Sequence, residues 1–360
     1  MTRVDYEKLL DPSNSFTCDE ILGKLRSLIL SEGLPDSEGI ENDREDGIRG
    51  RVWKILLRIP RIDSGLYLEL VARKKCQLGD KIRDDTFRTL GKDDKFKQGV
   101  AEVKLVRVLN ATEHYLREIQ SDISYVQGMS FMLAPFLYVM PEVDAFFCFR
   151  RFIISYCPNY VYGMLDGVHA GLALMEEIFE ICEPELHHYI LRGQLTTSVY
   201  AFSSLMSFLV DALPVQELMI VWDFLLSHGV HLIVVCVCAR YILLKEKIFE
   251  VTKAGMSKMT YMPELRQLKA RDIIHKTMEM IKLIPDELFD RLVKHPWHPS
   301  FLKKNQKLLP PPTMTLSKMM MLAQQDKLKS AQDKSDPKDA ANAVKEEEDD
   351  DEDEDMDWGD

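Results

Sequence analysis

The sequence lacks the common motifs that would let a protein carry out catalysis alone. It contains no G-x-x-x-x-G-K-[ST] loop, which excludes the P-loop GTPases, ATPases and kinases. It also contains no G-x-S-x-G turn, no H-E-x-x-H helix and no H-R-D-L with D-F-G. These absences exclude the usual serine hydrolases of that type, zinc peptidases and protein kinases.

Cysteine patterns of disulfide frameworks and zinc sites are also missing. The seven cysteines are odd in number, scattered and mostly in apolar surroundings, as is typical of reduced thiols in a cytosolic protein. Cys236 and Cys238 lack C-x-x-C spacing, and His295 and His298 have no second ligand pair nearby. We therefore expect no metal site.

Long apolar runs are absent. The longest ones, residues 131–140 and 230–239, are well short of the roughly 20 residues that span a bilayer. Asp5, Glu7 and Asp11 interrupt the first residues, which does not fit a signal peptide. We expect a cytoplasmic protein with no transmembrane segment.

Excess charge is confined to one end of the chain. The net charge is -12, but twelve of the 58 acids lie in residues 346–360, which leaves 46 acids against 46 Lys and Arg in residues 1–345. Proteins bind nucleic acids largely by releasing the counterions around the phosphates, which requires an excess of positive charge. A body with no net charge and an acidic tail lacks that excess. The charge pattern therefore argues against a nucleic acid partner.

Apolar residues recur mostly at steps of three and four, and sustained alternation is scarce, so the pattern predicts an all-α fold. The β-branched run that begins at residue 232 could be a strand, but it continues without a break to residue 248, which favours one buried helix. The predicted helices cover residues 18–31, 52–57, 100–119, 144–156, 172–182, 215–227, 232–248 and 271–281.

Composition and breaks in periodicity predict four regions. Residues 316–328 could form a helix with a methionine-rich face, either for binding or for packing on its own domain. Low hydrophobicity and concentrated charge predict disorder from about residue 330. The four regions are a helical N-terminal extension (1–40), a helical body (41–305), a linker (306–329) that contains the possible helix at 316–328, and a disordered acidic tail (330–360). The body divides into halves at 41–195 and 196–305.

Two short segments carry the strongest functional signal. Ile82 to Arg88 spells I-x-x-D-x-x-R, and a Y-x-Q-G-M segment containing Gln127 begins 37 residues after Arg88. An arginine can neutralise charge that develops on transferring phosphoryl oxygens, and a glutamine amide can aim a water molecule at a phosphate. Without a nucleotide site in the chain, this pair predicts a protein that completes another protein's active site.

These segments resemble the two finger motifs of the TBC domain, the family of Rab-type GTPase-activating proteins, over roughly residues 44–249. Three further blocks resemble that family in the same order along the chain. They are R-x-x-V-W-x-x-L-L from Arg49 with Trp53, S-V-Y with L-P at residues 198–214, and W-D-x-x-L at Trp222 and Asp223. The resemblance implies a two-subdomain helical TBC fold.

The resemblance also implies roles for individual residues. Arg88 would be the arginine finger and Gln127 the glutamine finger, acting on GTP and magnesium that a small Ras- or Rab-like GTPase carries. Asp85 would orient Arg88 through a charge-assisted hydrogen bond, or would serve as a helix cap or surface ion pair. Ile82 and Tyr125 would pack the two segments in place, and Gly128 would allow a close approach of the partner. Arg49, Trp53, Trp222 and Asp223 would be structural.

The sequence departs from most Rab-directed members at residues 201–209, which read A-F-S-S-L-M-S-F-L where the family has W-F-x-T-L-F. Neighbouring residues are similar to the branch named for the yeast spindle-checkpoint and septation GTPase activators. That branch implies a GTPase that controls mitotic exit and a scaffold protein at the spindle pole or centrosome. Two alternatives stay open: a Rab activator in membrane trafficking, and a non-catalytic TBC scaffold at the centrosome, spindle pole or cilium.

Overall fold

The computed structural model describes residues 3–11, 16–35, 47–59, 61–89 and 94–302. Within these ranges the regular structure is helical and contains no β-strand. The prediction of an all-α fold is confirmed. The predicted helix at 316–328, the methionine-rich face at 319–322 and the acidic tail lie outside the described residues.

Nine helices form the first part of the described chain. They run in the order α1 (Arg3–Leu10), α2 (Cys18–Ser31), α3 (Ile48–Leu56), α4 (Ser64–Ala72), α5 (Gly79–Thr89), α6 (Asp94–Gly99), α7 (Glu102–Glu118), α8 (Met129–Val139) and α9 (Glu142–Arg151). A π-helical turn (Phe152–Tyr156) continues α9.

Nine more helices follow, interspersed with short 3-10 turns. They are α10 (Asp166–Cys182), α11 (Pro184–Arg192), α12 (Thr197–Tyr200), α13 (Phe202–Met206), α14 (Val215–His228), α15 (Ile233–Leu243), α16 (Lys245–Val251), α17 (Ala270–Ile281) and α18 (Asp286–Lys294).

Most predicted helices form with bounds close to those expected, and α2 has the same bounds. The prediction of one helix over residues 232–248 is wrong, because the chain breaks at Leu244 between α15 and α16. Residues 233–242 are all buried, and the break falls where this apolar stretch ends. The turn directs Lys245 to Glu183, whose Oε1 lies 2.8 Å from the lysine Nζ.

An aromatic cluster forms the centre of the core. The Trp222 ring lies 5.8 Å from Trp53, 5.5 Å from Phe136 and 5.5 Å from Phe152, measured between ring centroids. These four side chains come from α14, α3, α8 and the π-helical turn, and all are buried. Aromatic rings in offset and edge-to-face contact bury large apolar areas, so this cluster joins elements from distant parts of the sequence.

Two helices of this framework position the loop that follows α7. Helix α5 packs against both α7 and α8, and the loop lies between the end of α7 and the start of α8. We refer to residues 119–128 as the Gln127 loop. The fold therefore brings the I-x-x-D-x-x-R segment, which forms most of α5, beside the Y-x-Q-G-M segment.

Candidate functional site

Helix α5 arranges Ile82, Asp85 and Arg88 at three-residue steps along one side. Ile82 is fully buried, and Asp85 is only 5% exposed. Arg88 lies in the last turn of α5, but its side chain is outside the described part of the structure. The buried members of this side hold the helix against α7 and α8.

The Asp85 carboxylate binds the Gln127 loop directly. Its Oδ2 accepts hydrogen bonds from the Tyr125 hydroxyl at 2.5 Å, the Gly128 backbone N–H at 2.9 Å and the Ser130 hydroxyl at 2.9 Å. A buried carboxylate is costly unless several donors satisfy it, and these three donors come from one short segment. Asp85 therefore links the helix that carries Arg88 to the loop that carries Gln127.

A second buried carboxylate, Glu113 of α7, binds the other side of the loop. Its Oε2 accepts a hydrogen bond from the Tyr125 backbone N–H at 2.9 Å, and its Oε1 accepts one from Ser124 Oγ at 3.2 Å. Arg117 Nε donates to the same Oε1 at 2.9 Å and supplies a counter-charge. The backbone on both sides of Gln127 is thus fixed, at Tyr125 by Glu113 and at Gly128 by Asp85.

The start of the loop is a Schellman turn at the end of α7. Gln120 takes a left-handed conformation with φ of 51° and donates its backbone N–H to Arg117 O at 3.1 Å. The Ser121 N–H reaches back to Leu116 O at 2.9 Å, which completes the paired pattern of this motif. The turn ends α7 sharply and sets the direction in which the loop leaves.

Gly128 ends the loop and precedes α8. Its φ of +100° is in the left-handed region, where a side chain would strain the backbone. A Cβ at this position would also lie 2.6 Å from Met206 Cε. The left-handed backbone favours glycine here, and the short distance places Met206 of α13 against the Gln127 loop.

The side chain of Gln127 is exposed, while Tyr125 and Gly128 beside it are buried. An amide on a fixed backbone can donate one hydrogen bond and accept another at the same time. It can therefore orient a water molecule in a site that a partner surface closes, with little backbone movement.

Burial and the neighbouring Asp85 carboxylate raise the pKa of Tyr125 well above its ordinary value. The phenol therefore stays protonated and donates its hydrogen bond to Asp85 throughout the neutral range. The predicted contact between Asp85 and Arg88 stays a prediction, since the Arg88 side chain lies outside the described part of the structure.

The four residues predicted to be structural lie together in the core. Asp223 accepts hydrogen bonds from Arg49 Nε at 3.1 Å and from Trp53 Nε1 at 2.7 Å. Trp222, the residue before Asp223, stacks on Trp53. The opening helix α3 and the W-D helix α14 are therefore joined by one carboxylate and one ring stack.

The order of these blocks and their geometry agree with comparisons to known proteins. A family model described as the Rab-GTPase-TBC domain matches residues 46–249. The chain belongs to the TBC-domain family. Membership makes it a GTPase-activating TBC-domain protein and implies a small GTPase as its partner.

Relatives of this TBC-domain protein extend the similarity beyond the domain. It is 34% identical over 303 residues to the putative mitotic check point protein BUB2 of Dictyostelium discoideum, covering 82% of this chain and 80% of that protein. It is 30% identical over 300 residues to cell division control protein 16 of Schizosaccharomyces pombe, covering 82% and 96%.

Solved TBC domains share the fold. The crystal structure of the Chlamydomonas flagellar RabGAP TBC domain covers 75% of this chain and 87% of that chain, with a TM-score of 0.56. The two sequences are 18% identical, so this likeness shows the helical TBC fold alone.

Three residues that contact Asp85 or the Gln127 loop of this TBC domain were not predicted individually from the sequence. The contacts of Ser130 and Met206 depend on the tertiary fold, and Met206 was marked only as part of the segment 201–209. Glu113 did give one: it lies four residues after Leu109, within the apolar stripe of α7, where an acid is out of place. A buried acid on a helix that precedes a functional loop is a candidate for holding that loop.

The described part of this TBC-domain protein offers no group of three or more His, Cys, Asp or Glu side chains that could hold a metal ion. Over the same residues, no helix is both long enough and apolar enough to cross a membrane.

Proposed function

We propose that this TBC-domain protein accelerates GTP hydrolysis by a small Ras- or Rab-like GTPase through Arg88 and Gln127, which enter the partner's active site. The observation that carries this proposal is the Asp85 carboxylate. It lies one helical turn before Arg88 and binds the backbone of Gly128, the residue next to Gln127. One buried group thus couples the positions of both fingers.

The two fingers have different tasks in this mechanism. GTP and magnesium are held by the partner GTPase, and this chain contributes side chains only. Arg88 stabilises the charge that develops on the phosphoryl oxygens, and Gln127 orients the attacking water. Asp85 and Tyr125 act as positioning residues that keep the loop in place before the partner arrives, so less ordering is needed in the complex.

We further propose that the GTPase acts in mitotic exit or cytokinesis, with a scaffold protein and recruitment to the spindle pole or centrosome. The support is the similarity to relatives that are named for the mitotic check point and for cell division control. A Rab in membrane trafficking is the second candidate, which the name of the matching domain favours.

The test is single-turnover GTP hydrolysis by a panel of purified Ras- and Rab-like GTPases with the full chain. Wild type should accelerate at least one of them. Arg88→Ala and Gln127→Ala should each lose most of that stimulation, because an arginine finger contributes about 10³ to 10⁵ in rate. Arg88→Lys should also be weak, since lysine lacks the planar guanidinium fork.

Matched controls separate the fingers from general surface effects. Arg83→Ala removes an exposed arginine of the same helix α5, and Gln216→Ala removes an exposed glutamine of α14. Both should stimulate as wild type does. If no GTPase is accelerated, or if the finger variants match wild type, the proposed mechanism is wrong. Binding without acceleration would instead favour a non-catalytic scaffold.

A further inference from the structure

Helix α13 lies against the Gln127 loop. Met206 is the last residue of α13, and its Cε and Sδ lie 2.6 Å and 3.1 Å from the position a Cβ on Gly128 would take. The Met206 side chain is nevertheless part-exposed, and Gln127, the residue before Gly128, is exposed. A flexible apolar side chain therefore borders the finger on the protein surface.

The helix has one buried side and one accessible side. Ser204 and Leu205 are buried, and Leu205 Cδ2 lies 2.9 Å from the position a Cβ on Gly171 of α10 would take. Phe202 and Met206 are four residues apart and so share a side, and both are part-exposed. The Phe202 ring also contacts exposed His169, at 5.8 Å between ring centroids.

The backbone after α13 is held in a conformation that few residues adopt. Phe208 and Leu209 follow each other with φ of 52° and 67°, and both are buried non-glycine residues. Trp222 Nε1 donates a hydrogen bond to Phe208 O at 3.1 Å, and Leu209 N donates to Ser204 O at 2.9 Å. Consecutive left-handed residues persist only where the surroundings enforce them, and such strain is found mostly at functional sites.

Hydrogen bonds from Arg240 and Asp211 hold α13 and the turn after it in place. The buried guanidinium of Arg240 donates to Ser204 Oγ at 3.3 Å and to Ala212 O at 3.4 Å. Asp211 accepts hydrogen bonds from the hydroxyls of Ser203 and Ser207, the latter at 2.6 Å. The orientation of α13 is thus set by the core, and its accessible side is presented in a fixed direction.

We propose that Phe202 and Met206 form a GTPase-binding surface beside Gln127 and determine which GTPase the protein accelerates. This inference rests on the proposed function, since it places the GTPase at the Gln127 loop. The occupant is the apolar surface of the GTPase that borders its bound nucleotide. Aromatic residues and methionine are enriched in the cores of protein interfaces, and methionine adapts its shape to its partner.

The role of these residues is to bind and select. Met206 lies against Gly128 of the finger loop. Its side chain is apolar and would bind the GTPase surface, not GTP, so its contact is equally strong in the ground and transition states. Removing such an interaction raises the half-saturating concentration and leaves the maximal rate unchanged. A purely structural role, in which Met206 supports the loop, would instead lower the maximal rate.

The experiment measures single-turnover GTP hydrolysis by the GTPase panel as a function of full-chain concentration. For the GTPase that wild type accelerates most, Met206→Glu should raise the half-saturating concentration about tenfold or more, with a maximal rate within about threefold of wild type. Phe202→Ser should act in the same direction. Met206→Leu keeps an apolar side chain against Gly128 and should stay close to wild type for that GTPase.

Met256→Glu is the matched control. Met256 is also part-exposed and also packs on a glycine, since its Cε lies 2.2 Å from the position a Cβ on Gly193 would take. This variant should leave both kinetic parameters unchanged. Thermal unfolding of each variant shows whether it is folded.

The outcomes separate this inference from the finger mechanism. Unchanged half-saturating concentrations for Met206→Glu and Phe202→Ser, or a loss confined to the maximal rate, overturn the inference even where Arg88→Ala and Gln127→Ala are inactive. If wild type accelerates no GTPase, equilibrium binding to the panel loaded with a non-hydrolysable GTP analogue decides. Loss of that binding in Met206→Glu supports the surface, and retained or absent binding contradicts it.

Discussion

Two buried carboxylates, Asp85 and Glu113, hold the Gln127 loop from opposite sides. Together they accept hydrogen bonds from two backbone N–H groups, those of Tyr125 and Gly128. Burying a carboxylate is unfavourable, and the donors around each one offset that cost. At the scale of single residues, the site therefore depends on polar groups that would not touch the substrate.

Replacing Glu113 with glutamine tests this support. The variant keeps the shape of the side chain, but its NH2 group cannot accept a hydrogen bond, so either the Tyr125 N–H or Arg117 Nε loses its acceptor. The free energy of unfolding, measured with urea, should fall by about 1 to 3 kcal/mol. The Gln127-dependent stimulation of GTP hydrolysis should fall with it.

Glu118→Gln provides the matched control on the same helix. Glu118 is exposed and pairs with Arg73 on the surface. Surface pairs contribute little, so the free energy of unfolding should change by less than about 1 kcal/mol. Equal losses in the two variants would contradict the role given to Glu113.

The sequence identified one of these two carboxylates. Asp85 belongs to a motif of fixed spacing and was singled out, although its contacts with Tyr125, Gly128 and Ser130 were not foreseen. Glu113 belongs to no motif. Its role depends on which residues of the following loop turn back to α7, and spacing along the chain does not show that.

At the scale of elements, the end of α7 determines where the Gln127 loop begins. The Schellman turn places a non-glycine residue, Gln120, in the left-handed conformation. Its side chain is exposed, so the backbone conformation is imposed by the helix end and the loop and not by packing of the side chain. This position therefore carries strain that glycine would relieve.

Gln120→Gly should stabilise the protein. Glycine removes the clash of a Cβ in the left-handed region, and its greater freedom in the unfolded chain offsets only part of the gain. The free energy of unfolding should rise by about 0.5 to 1 kcal/mol in urea titrations. Gln120→Ala, which keeps the Cβ, should show no such gain, and a gain in both variants would refute the assignment to strain.

Periodicity located most helices but could not find every break between them. The boundary at Leu244 contains neither glycine nor proline, and the β-branched run on its N-terminal side continues the helical pattern. The break falls where the buried stretch ends and where Lys245 pairs with Glu183 in the native fold. Neither feature can be read from periodicity along the chain.

At the scale of the whole molecule, the core buries histidines as well as aromatic rings. His228, His231 and His295 are all buried, and neither ring nitrogen of His231 has a hydrogen-bond partner among the described residues. Burial lowers the pKa of His228 and His295 to about 4 and that of His231 to about 3. These side chains are therefore neutral in the folded protein at pH values where they are protonated in the unfolded chain.

The stability of the protein should consequently decrease in mild acid. Below about pH 6.5 the unfolded chain binds protons that the folded protein does not. The free energy of unfolding therefore decreases as the pH is lowered, until the pH reaches the histidine pKa values of the folded protein, about 4 and about 3. Each histidine contributes up to about 1.4 kcal/mol per pH unit in this window. Urea titrations between pH 7 and pH 5 measure the slope.

His231→Phe should make that slope shallower by the contribution of one histidine. Phenylalanine fits the apolar surroundings, where the His231 ring lies 5.7 Å from the ring of Phe289. The exposed His275 provides the control, and His275→Phe should leave the slope unchanged. An identical slope in wild type and His231→Phe would contradict the account.

The all-α fold and most of its helices could be predicted from the sequence and its resemblance to a family, whereas the contact between Trp53 and Trp222 was not predicted. Motif order implied the fold, and the fold placed α5 beside the Gln127 loop. The contact of Met206 with Gly128 could not be predicted, because the residues are 78 positions apart and neither one specifies the other. Residues 201–209 differ from the family pattern, and that difference does not specify which of them contacts the Gln127 loop.

The most direct test of the central claim measures the first-order rate of single-turnover GTP hydrolysis by the GTPase. The rate is compared between saturating concentrations of the Arg88→Ala variant and of wild type. Saturation removes effects on binding and leaves the contribution to the chemical step. The account predicts a rate about 10³ times lower than with wild type, or lower still. A rate within about threefold of wild type would show that Arg88 does not act on the transition state.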